Sequence, residues 1–187
     1  MPINPVKLEN LRKANEESHR LIVDSLQEAL YQLLETKDIS EIKVIDLCHA
    51  AGVSRGAFYK HYYLITDVLK DDIKTIADDV RKAIGPDIAI NWGIILKTVY
   101  QYKRKIPLVL KAGMGMEILN QINRSIDAVP SKYKLRIAAW NGIIFNVVGI
   151  WAVTGFKRPI DQMAAELTEI TSHLYDAEVS AVFDPHL

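Results

Sequence analysis

The sequence contains a single cysteine, Cys48, together with only seven prolines and nine glycines among its 187 residues. One cysteine excludes a disulfide framework and any metal site built from several cysteines. So few prolines and glycines exclude a collagen-like chain and a Pro/Gly-rich disordered chain. The first twenty residues lack the apolar run of a secretory signal. We therefore expect a protein of the reducing cytoplasm.

The sequence patterns that mark common enzymes are absent as well. The five histidines are scattered, and no two of them stand four residues apart around a carboxylate, as a zinc-binding helix requires. No glycine-rich phosphate loop and no G-x-S-x-G nucleophile motif occur. The carboxylates of Asp71, Asp72, Asp78 and Asp79 lie among lysines, which favours a solvated helix face over a cation site. We expect neither catalysis nor a metal or organic cofactor.

The chain also has no excess of charge and no clear membrane span. Twenty-three Lys and Arg balance 23 Asp and Glu, and 49% of the residues are hydrophobic, as in an ordinary globular protein. A net charge of zero does not exclude nucleic acid as a partner, because binding depends on local charge. The stretch 137–156 approaches the length of about 20 residues that a span needs, but it contains polar side chains and three glycines. We predict a helix buried in a core or an interface, and no membrane partner.

Hydrophobic residues recur at steps of three and four along most of the chain, and no apolar/polar alternation is bounded by hairpin turns. This pattern predicts an all-α fold. The first helix begins at Asn4-Pro5 or at Ser18 and ends at Thr36–Asp38. Gly85-Pro86 ends the fourth helix, and Pro107 ends the fifth. The remaining predicted helices span residues 43–49, 55–61, 66–84, 87–105, 107–126, 130–155 and 160–182.

The segment Lys43–Tyr63, KVIDLCHAAGVSRGAFYKHYY, has the spacing of a helix-turn-helix. Cys48 is small enough for two helices to cross closely, and Gly52 takes the positive φ of the turn at little cost. Ser54 stands where the second helix needs an N-cap. The apolar positions that would join the two helices are Val44, Leu47, Ala51, Val53 and Phe58.

Once these inner positions are subtracted, the second helix presents a polar and basic outer face: Arg55, Gly56, Ala57, Tyr59, Lys60 and His61. Arginine binds guanine bidentately in the major groove, whereas Lys, Tyr and His donate to phosphates. Across Lys43–Tyr63, three cations oppose Asp46 alone. The segment therefore predicts DNA binding. The alternative is a tight helical corner with a solvated charged face, in a helical adaptor whose motif contacts protein.

From Arg20 to Leu69 the chain resembles the TetR/AcrR family of bacterial transcriptional regulators. The run Gly-Val-Ser-x-Gly-x-Phe-Tyr-x-His-Tyr over Gly52–Tyr62 carries this resemblance. It implies a three-helix, helix-turn-helix DNA-binding domain over residues 1–65. A helical bundle domain over residues 66–187 would dimerise and bind an effector.

The resemblance also implies roles for single residues. Lys43 would grip a phosphate, Ser54, Arg55, Gly56 and Ala57 would meet bases, and Tyr59 and His61 would anchor the sugar-phosphate backbone. One departure stands at Ile65, where the family usually has a lysine. This departure removes one expected phosphate contact, so we expect a shallower salt dependence of DNA binding than an Ile65→Lys variant would show.

The two last helices are rich in small and apolar residues, which predicts that two copies of each form a four-helix bundle in a homodimer. Such a dimer would place two recognition helices about one DNA turn apart on a near-palindromic operator. Alternatively, these helices only close the core of a monomer.

A small apolar or amphipathic effector is expected in the second half of the chain, where aromatic and methionine side chains cluster. Residues of these types at helical spacing are more often core residues, and a regulator without any small ligand is the alternative. The candidate pocket residues are Trp92, Tyr100, Met114, Met116, Trp140 and Phe145.

Overall fold

The structure is a computed structural model that describes residues 4–84, 92–128 and 130–172. Every regular element within these ranges is helical, so the all-α prediction is confirmed. The chain divides into two compact units, Met1–Asp71 and Asp72–Leu187. Short 3-10 helices lie at Ile39–Glu41 and Arg124–Ala128. The α-helices are α1 Pro5–Leu34, α2 Val44–Ala51, α3 Arg55–His61, α4 Ile65–Ile84, α5 Trp92–Gln101, α6 Lys105–Lys111, α7 Gly115–Asn123, α8 Ser131–Val153 and α9 Ile160–Thr171.

In the N-terminal unit, α1 begins at the earlier of its two predicted starts. The Val6 N–H donates to Asn4 Oδ1 at 3.0 Å, which is an N-cap hydrogen bond. The helix ends at Leu34, slightly before the predicted Thr36–Asp38. Its first half is exposed along residues 6–21, and only its second half enters the core. The fully buried side chains of this unit include Leu26, Leu30, Tyr31, Leu34, Leu47, Phe58 and Val68.

The helix-turn-helix forms as its sequence predicts. Gly52 ends α2 with φ 65°, and the Val53 N–H donates to the Cys48 carbonyl at 2.9 Å. Ser54 caps α3 by accepting the Ala57 N–H at 3.1 Å. Cys48 is buried at the crossing of the helices, and burial raises the pKa of its thiol. Local chemistry therefore fixes the angle between α2 and α3 before any distant contact is made.

The C-terminal unit is built around buried tryptophans. Trp92, Trp140 and Trp151 belong to one hydrophobic cluster that joins α5, α8 and α9. The Trp92 indole N–H donates to Thr171 Oγ1 at 3.0 Å, so a buried polar group is satisfied inside the core. The Trp151 indole N–H donates to the Arg158 carbonyl at 3.1 Å. These bonds fix large rings that apolar packing alone would orient less precisely.

The predicted helix 107–126 is wrong, because the chain breaks there. Residues 112–114 separate α6 from α7, and Gly113 has φ 75°. Pro107 does not end a helix. It lies in the first turn of α6, where a backbone N–H has no intrahelical acceptor and proline is tolerated.

Helices α4 and α5 differ at their ends from the prediction. Helix α4 starts at Ile65 and not after Thr66, and the Leu64 N–H donates to Asp67 Oδ2 at 2.9 Å. Helix α5 ends at Gln101, and a turn separates it from α6. Helix α9 is described as far as Thr171. The predicted stretches 87–91 and 173–182, and the Gly85-Pro86 stop, lie outside the described residues.

Helix α8 is apolar on two opposite faces. One face is buried through Ile137, Trp140, Ile144 and Trp151. The opposite face exposes Leu135 by 83%, Ile150 by 64% and Val153 by 74%. Within the described residues α8 alone has the length and mean hydropathy, 1.4, of a membrane span, although a third of that stretch is buried inside the protein. A helix that is apolar all round needs a cover on both faces.

Candidate functional site

The outer face of α3 carries the predicted contact residues on a rigid support. Arg55, Tyr59 and Lys60 are exposed, whereas Phe58 between them is completely buried. Ala57 and His61 are half-buried, and Gly56 is exposed. Neither Arg55 nor Lys60 pairs with a carboxylate in the part of the chain that the structure describes. Two uncompensated cations therefore point outward from one short helix.

Two further predicted residues flank this face. The backbone N–H of Lys43 donates to Asp46 Oδ2 at 3.3 Å at the start of α2, and the Lys43 side chain is exposed. The Ser54 oxygen accepts the Ala57 N–H, which leaves the hydroxyl hydrogen of Ser54 to donate elsewhere. The structure thus brings all eight predicted residues onto α3, its N-cap and the start of α2.

An apolar rim beside α3 was missed by the sequence analysis. Tyr63 is 85% exposed, and Ile45 and Leu64 are exposed too. These side chains line a shallow groove together with Lys43, Arg55, Tyr59 and the half-buried Ile65. A helical wheel of α2 places Ile45 outside the inner apolar face of the helix. This placement could have predicted that Ile45 is exposed. Ile65, which stands where the resemblance leads us to expect a lysine, is therefore part of an apolar surface.

A second groove runs between α1 and α3. The imidazole rings of His19 and His61 meet edge to face, with their centroids 4.3 Å apart. Burial lowers the pKa of His61, and the positive charges of His19 and Lys60 lower it further. No sequence pattern predicted a role for His19. The groove is lined by Asn15, Glu16, Ser18, His19, Ile22, Ala57, Lys60 and His61.

The C-terminal unit contains an apolar cavity of about 50 Å³. Five helices contribute to its wall, and none of the lining residues has a charged or hydrogen-bonding side chain. Of the six predicted pocket residues, Phe145 alone lines it. The wall consists of Ile73, Ile76, Ala77, Val80, Val99, Ile106, Val109, Leu110, Ile118, Ile122, Ile144, Phe145, Val148 and Gly149.

The other five predicted pocket residues lie elsewhere in this unit. Trp92 and Trp140 are core residues, with ring centroids 5.8 Å apart. Tyr100 stacks on Trp151 and is partly open to solvent. Met116 is 65% exposed, and Met114 lies at the break before α7. The large rings thus build the core, and smaller aliphatic residues surround the empty space.

Neither a protein-family model nor a curated protein matches the sequence. Among solved structures, the TetR family repressor AlkX from Dietzia sp. strain DQ12-45-1b, implicated in biodegradation of n-alkanes, is similar with a TM-score of 0.55. The similarity covers 87% of this chain and 98% of that chain, at 16% sequence identity. At this identity it concerns the fold. The chain has the all-helical fold of a TetR family repressor, in agreement with the resemblance carried by its helix-turn-helix.

Proposed function

We propose that the chain is a sequence-specific DNA-binding transcriptional regulator that acts as a homodimer and responds to a small apolar molecule. The observation that carries the proposal is the exposed face of α3, a helix fixed through buried Phe58. On this face no carboxylate of the described residues pairs with Arg55 or Lys60. In a helix-turn-helix, the first residues of the second helix contact base edges in the major groove. Arg55 is the first residue of α3.

The small residues after Arg55 support a close approach to the bases. Gly56 has no side chain, and Ala57 offers a single methyl group that suits the methyl group of thymine. Tyr59, Lys60 and His61 follow toward the end of α3, where they are placed to donate to phosphates. Lys43 at the start of α2 adds another cation on the flank.

The N-terminal unit as a whole has no excess of positive charge. Up to Asp71 the sequence carries nine Lys and Arg against eleven Asp and Glu. Non-specific DNA affinity comes almost entirely from phosphate neutralisation, so it should be low here. The proposed regulator depends on a few well-placed contacts.

The Ile65→Lys variant tests whether the wild-type chain lacks a phosphate contact at position 65. A lysine at the start of α4 would neutralise one further phosphate per protomer, so the slope of log K against log salt should steepen by about 0.9 for each copy bound. Fluorescence anisotropy over a salt series measures this slope. Ile94→Lys, at an exposed position of α5 outside the proposed interface, adds the same charge and should leave the slope unchanged. Equal slopes for wild type and Ile65→Lys would contradict the assignment.

A selection of fragments from the source genome tests the function itself. The purified protein should enrich a near-palindromic sequence and shift that duplex in a gel, while a scrambled duplex of equal length should not shift. The second candidate is a helical adaptor, which the exposed apolar rim at Tyr63 and Leu64 favours. An adaptor would enrich no sequence, and that result would overturn the proposal.

The dimer is supported by the uncovered apolar face of α8. Its exposed leucine, isoleucine and valine share this face with the small residues Ala139 and Gly142, which allow a second helix to approach closely. Helix α9 contributes less, because its exposed side chains in the described part are mostly polar. A second copy of α8 is the cover that fits this surface.

The effector is proposed from the cavity of the C-terminal unit. An apolar cavity stays dry and favours ligands without polar groups. Its volume of about 50 Å³ is far below the roughly 300 Å³ of typical ligand sites, so a larger ligand would require α7 to move. The break at residues 112–114 precedes α7, which contributes Ile118 and Ile122 to the wall. AlkX is implicated in biodegradation of n-alkanes, which are molecules of this apolar class.

We expect n-hexane to raise the melting temperature of the protein, by about 2–4 °C for each kcal/mol of binding free energy. Hexanoate should not raise it, because no group in the cavity pairs with a buried carboxylate. Ala77→Leu fills part of the cavity and should abolish the response, whereas Ala165→Leu at an exposed position of α9 should retain it. Equal responses to n-hexane and hexanoate would contradict the apolar assignment. Stabilisation by n-hexane without a change in operator affinity would contradict its role as an effector.

A further inference from the structure

His19 lines the α1–α3 groove but is not among the proposed DNA contacts. It stands on α1, 42 positions before His61, yet the two imidazole rings lie 4.3 Å apart. Lys60 lines the same groove, as do the polar side chains of Asn15 and Ser18. Among the described residues no group of three potential ligands could hold a metal ion. The groove therefore gathers hydrogen-bond donors and a cation beside the proposed recognition helix.

We propose that His19 and His61 form a proton-linked phosphate clamp, in which one backbone phosphate of DNA enters the α1–α3 groove and the histidine pair takes up a proton on binding. This inference rests on the proposed DNA-binding function. It adds His19 to the interface, and it makes DNA affinity depend on pH.

The charges around the pair explain why the proton is taken up on binding and not before. Two imidazolium ions at this distance repel each other, and Lys60 adds a third positive charge. Burial, together with the positive charges of His19 and Lys60, holds the pKa of His61 below that of an ordinary histidine. A phosphate in the groove carries a negative charge that reverses this penalty, because an opposite charge favours the charged form of a group.

The other titratable groups near the His19–His61 pair are Glu16, Tyr62 and Asp71. Glu16 on α1 lines the groove, where its carboxylate favours protonation of the histidines and repels a phosphate. The Tyr62 ring lies 6.4 Å from the His61 ring, and its hydroxyl donates to Asp71 of α4 at 2.9 Å. That bond fixes the end of α3 without neutralising either histidine. Lys60 and the two histidines therefore supply the positive charge on this groove.

The sign of the effect follows from linkage. Binding raises the pKa of the pair, so the complex holds more protons than the free protein between the two pKa values. DNA affinity must then increase as the pH falls through this interval, and it levels off once the free protein is itself protonated. Since one proton per protomer changes the binding constant by up to about tenfold per pH unit, we expect about tenfold tighter binding near pH 6 than near pH 8.

The experiment measures the affinity of the full-length protein for its selected operator by anisotropy, from about pH 6 to about pH 8 at constant ionic strength. His19→Gln should lose most of the pH dependence, and so should His61→Gln. His49→Gln, on the exposed end of α2, is the matched control and should retain it. Circular dichroism at each pH confirms that the variants stay folded.

A chemical readout on the DNA separates the clamp from a general pH effect. When operator phosphates are replaced in turn by uncharged methylphosphonates, one position in each half-site should abolish the pH dependence. The imidazole resonances of His61, whose pKa is lowered in the free protein, should titrate at higher pH with operator than without it. Wild-type binding that is independent of pH, or a His19→Gln variant with full pH dependence, would overturn the clamp and leave the proposed function intact. No binding to any DNA would overturn both.

Discussion

Ile150→Asp is expected to convert the proposed dimer into a monomer and to weaken operator binding by about two to four orders of magnitude. Ile150 lies on the exposed apolar face of α8, between Leu135 and Val153 in chain order. A carboxylate buried in a contact between two such faces has no partner, and its desolvation is costly. Once the two copies separate, each helix-turn-helix binds its half-site alone, and the gain from simultaneous binding is lost.

Light scattering after size-exclusion chromatography measures the mass, and anisotropy measures the affinities for a full operator and for a single half-site. The variant should bind the half-site as the wild type does, because α3 is untouched. Ile94→Asp places the same charge on an exposed isoleucine of α5 and should leave both mass and affinity unchanged. An Ile150→Asp protein that stays dimeric would exclude this face of α8 as the contact.

Helix α8 shows what a sequence pattern leaves open. Apolar residues surround the whole helix, so its composition is equally typical of a core, an interface and a membrane span. The structure shows that one face of α8 belongs to the core, because Trp140 and Trp151 are buried against the other helices of the unit. The outer face is covered by a second copy only in the proposed dimer, and no pattern within one chain describes such a contact.

The helix-turn-helix was predictable because its determinants are local. Gly52 takes a positive φ, Ser54 caps the next helix and Cys48 leaves room at the crossing, and each of these acts within a few residues. The break between α6 and α7 was not predictable from the same kind of signal. A proline interrupts a helix from an interior position but is tolerated in the first turn. The effect of Pro107 therefore depends on where the helix starts.

The cavity and the histidine pair lie beyond such local reasoning. The cavity is the space that five helices leave between Ile and Val side chains, and spacing along one helix does not reveal it. Of the aromatic residues predicted to line a pocket, Trp92 and Trp140 instead fill the core, where large rings bury the most apolar area. His19 and His61 meet only because the second half of α1 packs on the helix-turn-helix.

Arg55→Ala is expected to remove base preference at one position of each half-site, with a loss of about 1–3 kcal/mol of discrimination per contact. Arg55 is exposed, and no carboxylate in the described chain holds its guanidinium, so the substitution should not disturb the fold. Its five donors in a fixed plane match the two acceptors of guanine. A selection repeated with the variant should therefore yield a motif in which that position has become degenerate.

Lys60→Ala is the comparison variant for Arg55→Ala, because it removes a cation that is proposed to contact phosphate and not a base. A lysine near the end of α3 donates to phosphate, so its loss should weaken binding to every sequence by a similar factor and reduce the salt slope by about 1 for each copy bound. Arg55→Lys keeps the charge but not the bidentate geometry, and it should resemble Arg55→Ala in the selected motif more than the wild type. If Arg55→Ala selects the wild-type motif with only a uniform loss of affinity, Arg55 binds phosphate, and another residue at the start of α3 reads the bases.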